Sequence, residues 1–203
     1  MFEKFVMLFL YFFIYSILGW IMEVIRVFID TKKLEKRGFL ISPCCPIYGC
    51  GALIITYVFK FCLNNPFELF VLSVIFCSVL EYFTSYFLEK LFGARWWDYT
   101  DKKFNLNGRI CLINSLLFGV ISSAIVYFIN PLIKYLLNLI PIDILNSIAI
   151  VTFFIFMCDS IISCFIMVKI KSLNLKKKND NTSEITKKVD EILNGSECSK
   201  KVE

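Results

Sequence analysis

Five long apolar segments dominate this chain and constrain its fold more than any other feature. They cover about residues 5–29, 47–63, 67–91, 110–130 and 143–169. Most of them reach the roughly 20 residues that a helix needs to cross the hydrocarbon core of a bilayer. A helix also satisfies every backbone N–H and C=O group within its own segment, as lipid requires. The sequence therefore predicts an all-α polytopic membrane protein, a bundle of about five transmembrane helices.

Short polar breaks separate the later segments and mark the ends of the predicted helices. Asn-Asn-Pro at 64–66 divides the second segment, which is the shortest, from the third, and Asn130–Pro131 with Pro141 brackets the link between the fourth and fifth. Asparagine and proline favour turns, so we expect a brief hairpin at each break. Residues 1–170 are predicted to form the transmembrane domain. Residues 171–203 are predicted to form a polar, basic tail with one short apolar stripe.

The positive charges predict the orientation of the bundle. All but three of the 22 Lys and Arg residues lie near the first link, near the third link or in the tail; the exceptions are Lys4, Lys60 and Lys134. Because Lys and Arg are retained on the cytoplasmic side, we expect the N-terminus outside and the C-terminus in the cytoplasm. These loops account for the net charge of +5, so no nucleic-acid partner is needed, and the lipid bilayer is the expected partner of the basic tail.

Polar side chains within the predicted helices cluster in the cytoplasmic half. A rise of about 1.5 Å per residue brings the four acids and one amide to a similar depth. They are Glu23, Glu81, Glu89, Asn114 and Asp159. A charged side chain at the centre of a membrane helix costs about 3 kcal/mol on insertion scales, so such a cluster needs partners or water. Either an ion-pair network with Arg26, Arg95 and Arg109 or a water-filled ligand pocket meets this need.

Two links on the predicted cytoplasmic side have unusual sequences. The first, R-W-W-D-Y-T-D-K-K-F-N-L-N-G-R at 95–109, has aromatic residues suited to the headgroup level, and an aromatic belt is one interpretation. Its density of polar groups favours a lid or re-entrant loop over the acidic cluster. The polar and aromatic candidates are Arg95, Trp97, Asp98, Asn105 and Arg109.

The second link is R-G-F-L-I-S-P-C-C-P-I-Y-G-C-G at 37–51. Pro43 and Pro46 prevent a regular helix there, and Tyr48 offers an amphipathic ring. Broken backbone at membrane depth is tolerated where it is buried in protein or lines a cavity. The segment is therefore either part of a site or an ordinary cytoplasmic turn into the second helix.

Residue types that are missing exclude several kinds of chemistry. The chain has no histidine and no Gly-Lys pair, which excludes Ser-His and Cys-His nucleophile pairs, HExxH metal sites and a P-loop. Six of the nine cysteines lie in or beside predicted spans, where cysteine serves as a small hydrophobe. We expect no metal and no cofactor. An enzyme would depend on carboxylates, tyrosines or cysteines, and ATP-driven activity would need another chain.

Several motifs together resemble a known family. They are G-W-I-M-E at 19–23, the 37–51 link, L-E-Y-F-T-S at 80–85, R-W-W-D-Y at 95–99 and F-N-L-N-G-R-I-C-L at 104–112. In this order they are similar to the putative ABC-transporter type IV family, the CmpB-like membrane proteins, over about residues 9–125. The resemblance implies a multi-pass permease of the bacterial cytoplasmic membrane. Within these motifs lie Glu23, Tyr48, Glu81, Trp97, Asp98, Asn105 and Arg109.

Two functions are consistent with these features. The first is a permease-like protein with an inward-facing polar and acidic pocket, working as a homo-oligomer or with a separate ATPase subunit. In it, Glu23, Glu81 and Asp159 bind a cation, a proton or a cationic group, while Arg95 and Arg109 tune their charge. The alternative is an inner-leaflet enzyme or lipid-binding protein, in which Asp98 or Glu81 is the general base and the arginines hold a headgroup or isoprenoid phosphate.

Overall fold

Helices form nearly all of the structure, a computed structural model that describes residues 2–32, 38–172 and 182–193. Within these residues four helical segments are long and apolar enough to cross a membrane. They are Phe2–Ile29, Pro66–Phe92, Leu112–Asn138 and Ile142–Lys171. The complete first and third helices are α1 (Phe2–Thr31) and α3 (Pro66–Phe92). The predicted fold class, an all-α polytopic membrane protein, is confirmed.

The second predicted segment is a shorter apolar helix, Pro46–Cys62. It begins as α2 (Pro46–Leu53), continues as a π turn over Ile54–Val58 and ends as a 3₁₀ turn over Phe59–Cys62. It packs antiparallel to α1, with Gly49 against the backbone of Phe12 and Gly19 against the ring of Tyr48. Small residues at these positions let the two helices approach closely, as they do between membrane helices generally.

The ends of α3 follow local rules. Asn65 is its N-cap, its side chain accepting a hydrogen bond from the Glu68 N–H at 3.3 Å, and Pro66 occupies the first turn, where no N–H partner is required. At the other end Gly93 adopts φ +71° and donates its N–H to the Glu89 carbonyl at 2.8 Å. That left-handed conformation suits glycine, so α3 stops where the 93–111 loop begins.

The fourth predicted helix was placed too short. The chain does not turn at Asn130–Pro131: α4 (Leu112–Ala124) continues through a π turn at Ile125–Ile129 into α5 (Asn130–Asn138). A proline inside an α-helix loses a hydrogen bond and clashes with the carbonyl four residues earlier. The wider π turn before Pro131 accommodates this, as such bulges commonly do. The turn lies at 139–141, before α6 (Ile142–Ser172).

Two ends of the bundle are distinguished by their connections. The "loop end" carries residues 38–45 and the 93–111 loop, which meet where Phe39 packs on Phe92 and Trp96. A two-stranded antiparallel hairpin, β1 (Asn105–Leu106) and β2 (Ile110–Cys111), lies in that loop. The "hairpin end" carries the turns at 63–65 and 139–141.

The tail contributes one more helix at the loop end, α7 (Thr182–Leu193). Its apolar stripe packs on the last turns of α6 and on Phe39 and Ile41, so this part of the tail contacts protein. The buried members of this cluster include Ile166, Met167, Ile170 and Ile185. The rest of the predicted tail, residues 173–181 and 194–203, lies outside the described residues.

Candidate functional site

A cavity of about 280 Å³ lies between α1, α2, α3 and α4 and is covered at the loop end by the 93–111 loop. This volume is just below the ~300 Å³ at which small-molecule pockets in proteins usually begin. Its polar lining side chains gather at the loop end and include Glu23, Arg26, Tyr48, Glu81 and Tyr99. Its apolar wall extends toward the hairpin end and includes Ile55, Leu80, Phe118, Ile121 and Ile125.

The polar groups form two linked pairs across the cavity. The Tyr48 hydroxyl donates a hydrogen bond to Glu23 Oε1, and the Tyr99 hydroxyl donates to Glu81 Oε1 at 3.0 Å. Arg26 Nη2 lies 3.7 Å from Glu23 Oε2. Burial and the adjacent Glu81 carboxylate raise the pKa of Tyr99, so that its hydroxyl stays protonated and can donate.

Glu81 is the least satisfied of these groups. Its side chain is only 6% exposed, and Oε2 has no hydrogen-bond partner among the described residues. A buried carboxylate oxygen without a partner is costly, since it has lost its water and gained nothing in return. Because Glu81 lines the cavity, the unused oxygen is an acceptor available to whatever occupies that space.

Internal hydrogen bonds organise the 93–111 loop, and three of its aromatic residues line the cavity: Trp96, Trp97 and Tyr99. Asn105 Nδ2 donates to the carbonyls of Thr100 and Lys102 at 3.0 and 2.8 Å, and Asn105 Oδ1 accepts from the Gly108 N–H at 3.0 Å. Trp97 Nε1 donates to the Arg109 carbonyl at 3.0 Å. Asn105 therefore organises the loop, while Trp97 and Tyr99 contribute lining side chains.

A separate ionic cluster joins the same loop to the end of α3. Glu89 Oε2 lies 2.8 Å from Arg95 Nε and 2.7 Å from Arg109 Nη2, and Arg109 Nη1 donates to Ser85 Oγ at 3.1 Å. The Arg109 guanidinium also lies over the rings of Tyr82 and Tyr86, 5.8 and 5.5 Å from their centroids. These contacts make Arg109 a buried structural cation.

Asp159 holds the broken 38–45 segment against α6. Its Oδ1 accepts from the Ile41 N–H at 3.2 Å, and its Oδ2 accepts from the Ser42 N–H at 3.2 Å and from Ser42 Oγ at 2.5 Å. Ser163 Oγ donates to Oδ1 at 3.3 Å and accepts from the Ile41 N–H. The carboxylate thus satisfies backbone groups that an irregular segment leaves unpaired.

Comparison with protein families identifies the group to which the chain belongs. The sequence model described as Putative ABC-transporter type IV matches residues 10–164. The chain belongs to this family. No curated protein and no solved structure matches the chain. The type IV family match includes every residue that lines the cavity, whereas α7 lies beyond it. Family membership and the apolar helices together indicate a transport-related membrane protein.

In this member of the type IV family, the predicted site residues fall into two groups. The structure brings four of them together around the cavity: Glu23, Tyr48, Glu81 and Trp97. The remaining seven do not line it: Glu89, Arg95, Asp98, Asn105, Arg109, Asn114 and Asp159. Two further lining residues, Arg26 and Tyr99, are expected from the sequence only as a counter-ion and as an aromatic ring at headgroup level. Their spacing from predicted site residues could have identified them: Arg26 is three residues after Glu23, and Tyr99 is two residues after Trp97.

Proposed function

We propose that this chain is a permease-like protein of the bacterial cytoplasmic membrane whose inward-facing cavity binds a solute through a cationic group. Glu81 Oε2 carries the proposal, because it is buried, has no hydrogen-bond partner among the described residues and, in the ionised carboxylate, can only accept. Among the described lining residues, two acids face one cation. That cation, Arg26, is paired with Glu23, which leaves the Glu81 carboxylate to attract positive charge.

The orientation assigned to the cavity rests on the distribution of cations. The loop end carries Arg26, Lys90, Arg95, Lys102 and Arg109, whereas Lys60 and Lys134 lie toward the hairpin end. The tendency of such cations to remain in the cytoplasm supports a cytoplasmic loop end. The polar part of the cavity then lies toward the cytoplasm, beneath the 93–111 loop.

A polar cluster beyond the cavity supports a route toward the hairpin end. The Tyr15 hydroxyl donates to Asn130 Oδ1 at 3.2 Å, and Thr56 on the second helix and Ser73 on α3 are further buried polar residues. Polar groups within a bundle interior commonly mark the paths of solutes or ions. An ATP-driven cycle would require a separate ATPase subunit, because the chain lacks a P-loop.

The alternative, binding of a headgroup phosphate or isoprenoid phosphate at the inner leaflet, has less support. It relies on arginines, and Arg95 and Arg109 are both engaged with Glu89 outside the cavity. The cavity lining is acidic on balance, which opposes an anion. Asp98, the other proposed base, accepts from Thr100 within the loop.

Single-cysteine labelling tests the inward-facing cavity. In a cysteine-free background, Thr84→Cys places a thiol on the cavity wall, and Phe83→Cys places one on the lipid-facing side of the same turn of α3. A membrane-impermeant maleimide should label Thr84→Cys from the cytoplasmic side and label Phe83→Cys slowly from both sides. A Thr84→Cys variant that is folded yet unlabelled from the cytoplasm would refute the proposal.

Protection by a small cation tests recognition by Glu81. Butylammonium should slow the labelling of Thr84→Cys, and adding Glu81→Gln should abolish this protection. Glu68→Gln, an identical change at an exposed acid in the first turn of α3, is the matched control and should retain it. Equal protection in both variants would exclude Glu81 as the binding group. Transport itself predicts that Ser122→Cys, farther along the cavity, is labelled from outside in part of the population.

A further inference from the structure

We infer that the ligand of this cavity is an amphiphile, with a hydrogen-bond-donating cationic head and an unbranched apolar tail. This inference rests on the proposed function and names the substrate class of the same site. It follows from the position of the charged lining side chains, Glu23, Arg26 and Glu81, at one end of a largely apolar cavity. The head would lie at the loop end, and the tail would extend toward the hairpin end.

The chemistry of the head follows from the absence of a hydrogen-bond donor to Glu81 Oε2 among the described residues. Oε1 already accepts from Tyr99, whereas the buried Oε2 has no partner in the described parts of the chain. An ammonium group carries three donors and no acceptor, so it can bond to Oε2 without placing a second acceptor against the carboxylate. A neutral hydroxyl head would also donate a charge-assisted hydrogen bond to the carboxylate, but it has only one donor, carries two acceptor lone pairs and leaves the negative charge uncompensated.

The tail is specified by the length and composition of the remaining wall. Tyr48 and Ile55 both line the cavity and are seven residues apart on the second helix, which is about 10 Å along its axis. Phe118 and Ile125 line it with the same spacing on the helix opposite. A small hydrated cation would leave this apolar space facing water, whereas an alkyl chain fills it with van der Waals contacts.

Few polar side chains line the part of the cavity that would hold the ligand's alkyl chain, and those that do contact each other. Ser122 Oγ lies 3.9 Å from Cys77 Sγ, a contact between the two side chains at hydrogen-bond range for sulfur. Both residues line the cavity between its ionic end and its apolar end. A slender chain can pass this point, and a ligand with a second charged group at that depth would meet no counter-ion among the described lining residues.

The inference is tested by equilibrium binding of radiolabelled dodecylammonium and butylammonium to the full chain in phosphatidylcholine nanodiscs, with empty nanodiscs subtracted. Ile121→Trp fills the tail region, whereas Leu117→Trp adds the same bulk one turn earlier on the lipid-facing side of α4. We expect Ile121→Trp to weaken dodecylammonium binding at least tenfold and to change butylammonium binding less than twofold. Leu117→Trp should change neither.

The outcomes separate this inference from the proposed function. If Ile121→Trp leaves dodecylammonium binding within twofold while Glu81→Gln weakens both ligands, the head site stands and the tail is refuted. If Glu81→Gln weakens neither ligand, both proposals fail. Tighter binding of dodecyl sulfate than of dodecylammonium would overturn the cationic head. Ile125→Phe is a second tail-blocking variant, to be used if Ile121→Trp does not give a monodisperse protein.

A further arm identifies the source of the amphiphile. An amine lipid of the bilayer and a soluble single-chain amine share the ammonium head inferred here, but the lipid has two chains and a phosphate. Adding phosphatidylethanolamine to the nanodiscs should not compete with dodecylammonium if the site accepts a single unbranched tail. Competition that Glu81→Gln abolishes would keep the cationic head and overturn the single tail, and competition that persists in Glu81→Gln would contradict the role given to the head.

Discussion

Replacing Asp159 by alanine should destabilise the protein strongly, although Asp159 itself does not line the cavity. The carboxylate accepts from two backbone N–H groups, those of Ile41 and Ser42, and from the hydroxyls of Ser42 and Ser163. Leaving a buried donor unsatisfied costs about 1–3 kcal/mol. The Ile41 N–H retains Ser163, so the loss of the remaining bonds should lower the free energy of unfolding by about 3–5 kcal/mol.

The assay is equilibrium unfolding of the purified protein in mixed micelles, followed by tryptophan fluorescence. Asp143→Ala, at the exposed start of the same helix, is the matched control and should change stability by less than about 1 kcal/mol. Ser42→Ala should cost about 1 kcal/mol alone, and much less in the Asp159→Ala background, because the two side chains form one bond. A loss below about 1 kcal/mol in Asp159→Ala would refute this account and return Asp159 to the ligand-binding candidates.

Three further predictions concern the loop end. Arg109→Lys should lower the unfolding free energy by about 1–2 kcal/mol, because a lysine cannot keep both the Glu89 contact and the aromatic stacking; an unchanged unfolding midpoint would contradict this. Gly108→Ala should destabilise by at least ~1 kcal/mol, since φ is +66° and a Cβ would collide with Asp98, and a stable variant would argue against this loop conformation. Burial raises the pKa of Cys45 to about 12. In a variant retaining only that thiol, maleimide labelling at pH 7 should be over ~100-fold slower than for a free thiol, and should rise about tenfold per pH unit as thiolate forms; fast labelling at pH 7 would be incompatible with a buried thiol.

The membrane architecture was predictable because it follows from the lengths of the apolar segments in the sequence. Apolar segments of sufficient length identify the helices, and Pro66 and Gly93 lie where α3 begins and ends. Pro131 was misleading for a physical reason. A proline usually ends a helix, but the π turn before it absorbs the missing hydrogen bond, and no residue pattern in that apolar stretch announced a π turn.

The sequence predicted the depth of each candidate side chain in the membrane, but not the direction in which it points around the helix axis. Rise per residue gives the level of an acid in the membrane, and Glu23 and Glu81 do reach the same cavity. The angular position of a side chain depends on how helices pack, which the sequence of one helix does not contain. Glu89 and Asp159 share roughly the same level, yet one turns to Arg95 and Arg109 and the other to the 41–42 backbone.

The two π turns lie side by side in the bundle, at Ile54–Val58 and Ile125–Ile129, and one isoleucine from each, Ile55 and Ile125, lines the cavity. A π turn contains one residue more than a helix of 3.6 residues per turn requires, and each residue corresponds to about 100° of rotation. If the π turn shifted by one residue along the helix, the side chains within the shifted turn would rotate about the helix axis, while the rest of the helix would stay in place. The two helices thus have, at the same depth, a means of exchanging which side chains face the interior without unwinding.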